Sequence, residues 1–185
     1  MRIISGNFRG KKLLTPKDNS TRPLKDLVKE SIFNIVEHSN LTEISIKNSL
    51  VLDLFSGVGS FGLECLSRGS TTVTFFENYP NALTVLKKNI INLDLQNKTN
   101  IVEKDIFTNS TFDYIKKKFD IIFIDPPYKE KKLTKLLKKI IELNLLKKNG
   151  IFIIHRHKKQ KDEFPKNFNI LREEIYGASK IIFGK

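Results

Sequence analysis

The residues best suited to chemistry lie in two short stretches of the 185-residue chain. One is Asp125-Pro126-Pro127-Tyr128, directly after the apolar run FDIIFI. Two prolines fix φ and remove two backbone donors, so this exit presents carbonyl oxygens and a carboxylate without competing N–H groups. Such an acceptor cluster suits the exocyclic amine of a base. In guanine, adenine or cytosine the amino lone pair is delocalised into the ring and is a poor nucleophile. Acceptance of both amino hydrogens by the Asp125 side chain and the Pro126 carbonyl would localise that lone pair toward an incoming methyl. Tyr128 would stack on the base, so that catalysis is orientation and electrostatics with no metal. The plain alternative is a Pro-Pro turn that merely ends a strand.

The other stretch is DLFSGVGSFG at 53–62. A strand that must turn at once into a helix while a ligand lies against its backbone needs glycines, because a Cβ would block both. Gly57-x-Gly59-x-x-Gly62, with Glu77 ending the next apolar run, satisfies a dinucleotide-binding fingerprint. The spacing alone does not separate a nicotinamide dinucleotide from S-adenosylmethionine. Asp53 does: a carboxylate before the glycines sits badly against a pyrophosphate but suits the ammonium group of a methionine moiety. Glu77 is then placed to accept from both ribose hydroxyls, and Asp105 to meet the adenine amino group. For Glu77 and Asp105 the alternative is a solvated strand end.

These residues need a scaffold, and the patterning supplies one. LVLDLF, TTVTFFE, NIVEKD, FDIIFID and GIFIIHR read as five strands, followed by β-like stretches at 168–175 and 180–183. Helices are predicted after Gly59 up to Arg68-Gly69, over residues 80–93, and on the stripe Leu133, Leu136, Leu137, Ile140, Ile141. Alternating strand and helix means an α/β fold, a largely parallel sheet with helices on both faces and ligands outside the carboxyl ends of the strands. Ahead of it, residues 2–16 read as a hairpin or extended arm around GNFRG. Leu27, Val28, Ile32, Ile35 and Val36 then share a helical face, with Pro23 suited to the helix start. The expected division is a basic arm and helix over 1–48, not an independent domain, and a catalytic domain over 49–185.

Composition narrows the partner. Hydrophobic residues are 39% and charged residues 29%, which excludes a collagen-like or wholly disordered chain. Lys plus Arg number 33 against 20 Asp plus Glu, a net charge of +13. AT-rich coding alone would inflate Lys, so distribution is the better test. Residues 1–29 carry eight cations against Asp18 and Asp26, and residues 126–161 carry twelve against Glu130 and Glu142, while the remainder is slightly acidic. Two basic segments argue for a polyanion-facing surface, and nucleic acid is the expected partner. No apolar run approaches the roughly 18 residues of a membrane span. The opening residues lack the apolar core of a signal peptide, and the single Cys65 fits a reducing cytosol. A cytoplasmic location is expected.

DLFSGVGSFGLECLSRG followed by FFE, then IDPPY, resembles the class I S-adenosylmethionine-dependent amino-methyltransferases. RIISGNFRGKKLLTP, TRPLKDLVKESIFNI and the late YGASKIIFGK are similar to the bacterial RsmD-like family, which methylates a guanine of 16S ribosomal RNA on N2. The resemblance spans nearly the whole chain. It implies a Rossmann-like, seven-stranded, mostly parallel sheet with an amino-terminal hairpin and helix extension. It also implies S-adenosylmethionine as cofactor and an assembled or partly assembled small subunit as partner; the chemistry above needs no metal, and a monomer is expected. Carried onto this chain, the catalytic set is Asp125, Pro126, Pro127 and Tyr128; the cofactor set is Asp53, Phe55, Gly57, Gly59, Glu77, Asp105 and Ile106. Arg9, Arg22, Pro23, Lys129 and Lys131 are the substrate-binding set. The chain departs from the family pattern at Leu27, where Arg is common, at Leu24, where a hydroxyl residue is usual, and at Val58, where Thr is common.

The remaining candidates read more blandly. His155 and His157 flank Arg156 with no carboxylate or Cys at ligand spacing, so a metal is not expected and a solvated or RNA-facing role is. Cys65 reads as core, as do Phe8 and Tyr176 in preference to RNA stacking. The lysine run at 129–139 reads as phosphate contact ahead of a solvated helix face. Competing functions are an adenine-N6 or cytosine-N4 methyltransferase, an inactive RNA-binding assembly factor with this fold, and an NAD oxidoreductase. No general acid or substrate constellation supports the last.

Overall fold

The near-continuous apolar runs become the centre of one sheet, because strands covered on both faces have no solvent side to spend on polar residues. In the computed structural model, which describes residues 1–16, 24–108, 111–113 and 115–185, these are β1 (Leu50–Leu54) and β4 (Phe119–Ile124). They pair in parallel, Leu54 opposite Ile124, and β1 pairs on its other side with β2 (Thr72–Phe76), Leu54 opposite Phe76. β3 (Thr99–Val102), β5 (Leu146–His157), β6 (Ile170–Tyr176) and β7 (Ser179–Gly184) complete the order β3-β2-β1-β4-β5-β7-β6, in which β7 alone runs against the direction of the other six. This is the expected Rossmann-like, mostly parallel sheet of seven strands. Connections leave β1 toward β2 and return to β4 on its other side, so the β1 and β4 exits flank a topological switch point.

Alternation along the strands divides the interior in two. Val51, Phe75, Phe123 and Ile153 face α1 (Asp26–His38), α2 (Ser60–Ser67) and α3 (Pro80–Asn92). Leu52, Ile122, Ile124 and Phe152 face α4 (Leu133–Glu142), whose Leu133, Leu136, Leu137 and Ile140 are buried as their spacing predicts. Helices therefore cover both faces.

The amino-terminal arm packs into the first of these cores through Ile3 and Leu13. It is a tight loop with one antiparallel bridge, Arg2 to Lys12, in place of a full hairpin. Its backbone is pinned to α2: Ile4 and Ser5 N–H donate to Glu64 at 2.7 and 2.9 Å, and Phe8 N–H to the Ser67 hydroxyl at 3.0 Å. Glu64 is fully buried and also receives Arg68 Nε at 3.0 Å, with Lys29 Nζ at 3.5 Å. That buried anion explains a departure from the expected α1 stripe. Leu27 is 67% exposed while Lys29 is 0% exposed, its Nζ donating to the Arg2 carbonyl at 2.7 Å and to Ser60 Oγ at 3.2 Å. A charge sits on the core face because it is paired and hydrogen-bonded there.

Candidate active site

A cavity of about 630 Å³ opens at the carboxyl ends of β1, β2 and β4. Asp53, Phe55, Gly57 and Glu77 line one wall, Asp125, Pro126, Pro127 and Tyr128 another, and Met1, Thr15, Pro16 and Leu24 bring the amino-terminal segment to its edge. Arg22 and Pro23 lie outside the described residues.

The first wall is made by backbone. Phe55, Gly57 and Gly59 adopt φ of 60°, 55° and 83°, a left-handed turn that feeds β1 into α2. A Cβ on Gly57 would meet nothing within 4 Å, so this glycine leaves space on the cavity side. Gly59 does not line the cavity; a Cβ there would strike Leu86, and one on Gly62 would strike the Phe75 ring. Those two glycines serve the turn and the close packing of helix on strand. Glu77 clamps the same loop, accepting Gly57 N–H at 2.7 Å on one oxygen and Asn78 and Tyr79 N–H at 2.9 and 2.8 Å on the other.

Asp53 is 1% exposed; one carboxylate oxygen accepts Gly62 N–H at 3.0 Å and the other, Oδ1, has no partner among the described residues. Burial, with the Asp125 and Glu77 carboxylates adding to it, pushes its pKa well above the usual carboxylate range against the pull of the Gly62 N–H. A buried, orphaned acceptor amid acids is the environment a cationic ligand relieves.

Asp105 and Ile106 do not join this wall. β3 ends at Val102, three residues short of the Asp105 that NIVEKD placed at its exit. Asp105 is exposed, its Oδ1 closing a local turn on Phe107 N–H at 2.9 Å, and Ile106 is buried in the α4-side core.

The second wall is held by side chains. Asp125 N–H donates to the Leu54 carbonyl at 3.2 Å, tying the two strand exits together. Beyond it, Pro127 O accepts Glu130 N–H at 2.8 Å and Arg156 Nη1 at 3.3 Å, Tyr128 O accepts Gln160 Nε2 at 2.8 Å, and Glu130 O accepts Arg156 Nη2 at 2.9 Å. The Pro126 carbonyl receives no donor from the described residues, so it stays available as the turn's acceptor. Arg156 is buried at 1% exposure and forks onto Asp162, Nε to Oδ2 at 2.9 Å and Nη2 to Oδ1 at 2.8 Å.

A family model described as Conserved hypothetical protein 95 matches residues 1–185. The chain belongs to this family. A Ribosomal RNA small subunit methyltransferase D of Buchnera aphidicola subsp. Acyrthosiphon pisum is 33% identical over 177 residues, spanning 94% of this chain and 86% of the relative. The candidate rRNA methyltransferase YlbH of Bacillus subtilis is 35% identical over 190 residues, spanning 100% of this chain and 98% of its own. Among solved structures, the Escherichia coli candidate methyltransferase yhhF superposes with a TM-score of 0.80 at 24% identity, covering 100% of this chain and 96% of that one, which supports the fold. The RsmD-like resemblance of the motifs is thereby a family membership, and the family is one of methyltransferases.

In this RsmD-like chain the fifth strand contributes what its sequence did not reveal. His155, expected to be solvated or RNA-facing, is 2% exposed, with Nδ1 at 2.8 Å from Asp125 Oδ1 and Nε2 at 2.9 Å from Ser179 Oγ. His157 packs edge-on against the Tyr128 ring, centroids 4.8 Å apart at 74°. Two prolines deprive the turn of two N–H donors, and His155 and Arg156 bring donors to it from β5, while His157 adds only its ring contact. The signal available in sequence was only that polar triplet at the end of an apolar strand. Two cations of the basic segments, Lys29 and Arg156, are likewise buried partners of Glu64 and Asp162, not surface charge. Arg9, Lys129, Lys131, Lys135 and Lys138 are exposed; Lys132 lies 5.0 Å above the Phe107 ring. Cys65 is core, its thiol pKa raised by burial, and Phe8 and Tyr176 pack on the first core.

Proposed function

We propose that this protein transfers a methyl group from S-adenosylmethionine to the exocyclic N2 of a guanine in small-subunit ribosomal RNA. One observation carries the reading: a single cavity brings an unpartnered buried carboxylate oxygen, on Asp53, together with the acceptors of a proline-rich turn, on Asp125 and Pro126. The residues present fit the cofactor. Asp53 would receive the ammonium group, Glu77 the ribose hydroxyls, and Gly57 and Phe55 the face of the nucleoside; Asp105 and Ile106 join only as outer neighbours of the adenine. When bound, the cofactor supplies an electrophilic methyl on a sulfonium. The protein's own residues do the rest. Asp125 and the Pro126 carbonyl accept the two amino hydrogens and localise the nitrogen lone pair, Tyr128 covers the base, and the buried walls exclude water.

The target base must leave any stack to enter, which favours a single-stranded loop. Arg9, Lys129, Lys131 and the outer face of α4 would carry phosphate contacts. Because one chain builds the whole cavity, a monomer suffices, and the setting is the cytoplasm where subunits are assembled. The relative named for the small subunit supports that substrate over DNA. Incubation with methyl-labelled S-adenosylmethionine and either free 16S RNA or small subunits from a strain lacking the enzyme is expected to label the RNA. Absence of label from both, with intact cofactor binding, would leave an inactive RNA-binding factor as the better reading.

A further inference from the structure

The second wall contains a hydrogen-bond chain that the proposed transfer does not by itself require. Asp125 Oδ1 is 2.8 Å from His155 Nδ1, and His155 Nε2 is 2.9 Å from Ser179 Oγ, with His155 buried between β4 and β7. A carboxylate oxygen only accepts, so Nδ1 carries the ring proton; a neutral ring then has a bare Nε2, which accepts from the Ser179 hydroxyl. Asp125 thus sets the tautomer, Ser179 holds the opposite ring nitrogen in place, and His155 presents one fixed donor to Asp125. The same arrangement decides which acceptors remain. Oδ1 is occupied, Pro127 O and Tyr128 O are occupied by Arg156 and Gln160, and Asp125 Oδ2 and the Pro126 carbonyl are left without donors from the described residues.

We infer that His155 is a positioning residue: through the Ser179–His155–Asp125 chain it locks the Asp125 carboxylate in the rotamer that leaves one oxygen, beside the Pro126 carbonyl, for the substrate amine. This rests on the methyltransfer reading above and adds to it a residue that touches neither substrate nor cofactor. Two acceptors in fixed relation match the two hydrogens of one amino group. A carboxylate free to rotate would offer either oxygen at random and lose that match.

The test exploits the shape of amides. The Nδ2 of Asn mimics imidazole Nδ1, whereas the Nε2 of Gln mimics imidazole Nε2. His155→Asn can therefore still donate to Asp125, while His155→Gln reaches toward Ser179 and His155→Leu does neither. With small subunits and S-adenosylmethionine saturating, His155→Gln and His155→Leu are expected to lose about 100-fold in kcat, the scale of a misoriented reacting group. KM and cofactor affinity by calorimetry should hold, and His155→Asn should stay within about tenfold of the parent. Equal loss in all three variants, or no loss in any, would overturn the inference. An activity-free readout guards against a variant that fails to fold. The ¹⁵N shifts of the His155 ring in the unmodified protein should report the Nδ1–H tautomer and change in Ser179→Ala; an Nε2–H tautomer would also overturn it. A parent protein that binds cofactor but methylates nothing would instead sink the functional reading, and the ring-nitrogen shifts would still judge the chain.

Discussion

The two walls of the cavity are held in opposite ways. At the β1 exit the geometry is local: residues 55, 57 and 59 take left-handed φ, and Glu77 clamps the loop through backbone N–H groups. At the β4 exit the geometry is borrowed, since His155, Arg156, Gln160 and Ser179 come from the last strands of the chain and the loop after β5, 26 positions or more from the residues of the turn that they brace. A wall made of backbone tolerates exchange of distant side chains but no Cβ in the wrong place. A wall made of side chains tolerates local change better than loss of its remote donors.

The largest effect that would separate the walls is chemical. Asp125→Ala should reduce transfer by about 10³-fold, the scale of removing a preorganised charge-bearing group, while stabilisation by S-adenosylmethionine in thermal unfolding persists. Glu77→Ala should do the reverse, weakening cofactor binding while kcat at saturation stays close to that of the parent. A swap of these phenotypes would dissolve the comparison.

Next in size is the cost of removing a remote donor. Arg156→Ala strands the Asp162 carboxylate and the Glu130 carbonyl and takes one of two donors from the Pro127 carbonyl, and denaturant unfolding should show a loss of about 3–5 kcal/mol. On the backbone wall Gly62→Val should cost about 1–3 kcal/mol by overpacking against Phe75, and Gly57→Ala about 1 kcal/mol, because only its left-handed φ is penalised. A Gly57→Ala cost as large as that of Arg156→Ala would mean that the first wall is not conformational in origin.

Asp53 sharpens the contrast through pH. Its pKa is raised in the folded protein, so folding takes up a proton, and the ligand-free protein loses stability as pH rises from about 4 through the range where the buried acid ionises. Asp53→Asn should flatten that dependence and raise the melting temperature at neutral pH, while calorimetry shows weaker cofactor binding. The smallest effects are expected at the surface: Lys129→Ala and Lys131→Ala should each weaken RNA binding and lower its salt slope by about 1.

The same contrast explains what was legible beforehand. The sheet, α2 to α4, the glycine turn, Asp53 and the Asp-Pro-Pro-Tyr turn were readable because each is written in contiguous residues with a fixed period or spacing. Lys29 was not: its burial depends on Glu64, on another helix, and it displaces Leu27 from the core face. His155 and Arg156 looked solvent-bound because nothing near them in sequence shows that Asp125 and Asp162 face them in space. The end of β3 was not legible either, since a polar residue following a strand-like run does not reveal that the strand stops three residues before Asp105.

The central claim is that the β4 exit grips an amino group on guanine. Small subunits lacking the modification, treated with methyl-labelled S-adenosylmethionine and this protein, can be digested and their nucleosides separated by mass spectrometry. The label is expected in N2-methylguanosine alone, and its initial rate of incorporation to fall by about 10³-fold with Asp125→Ala. Label in another nucleoside, or an unchanged rate with Asp125→Ala, would contradict the account.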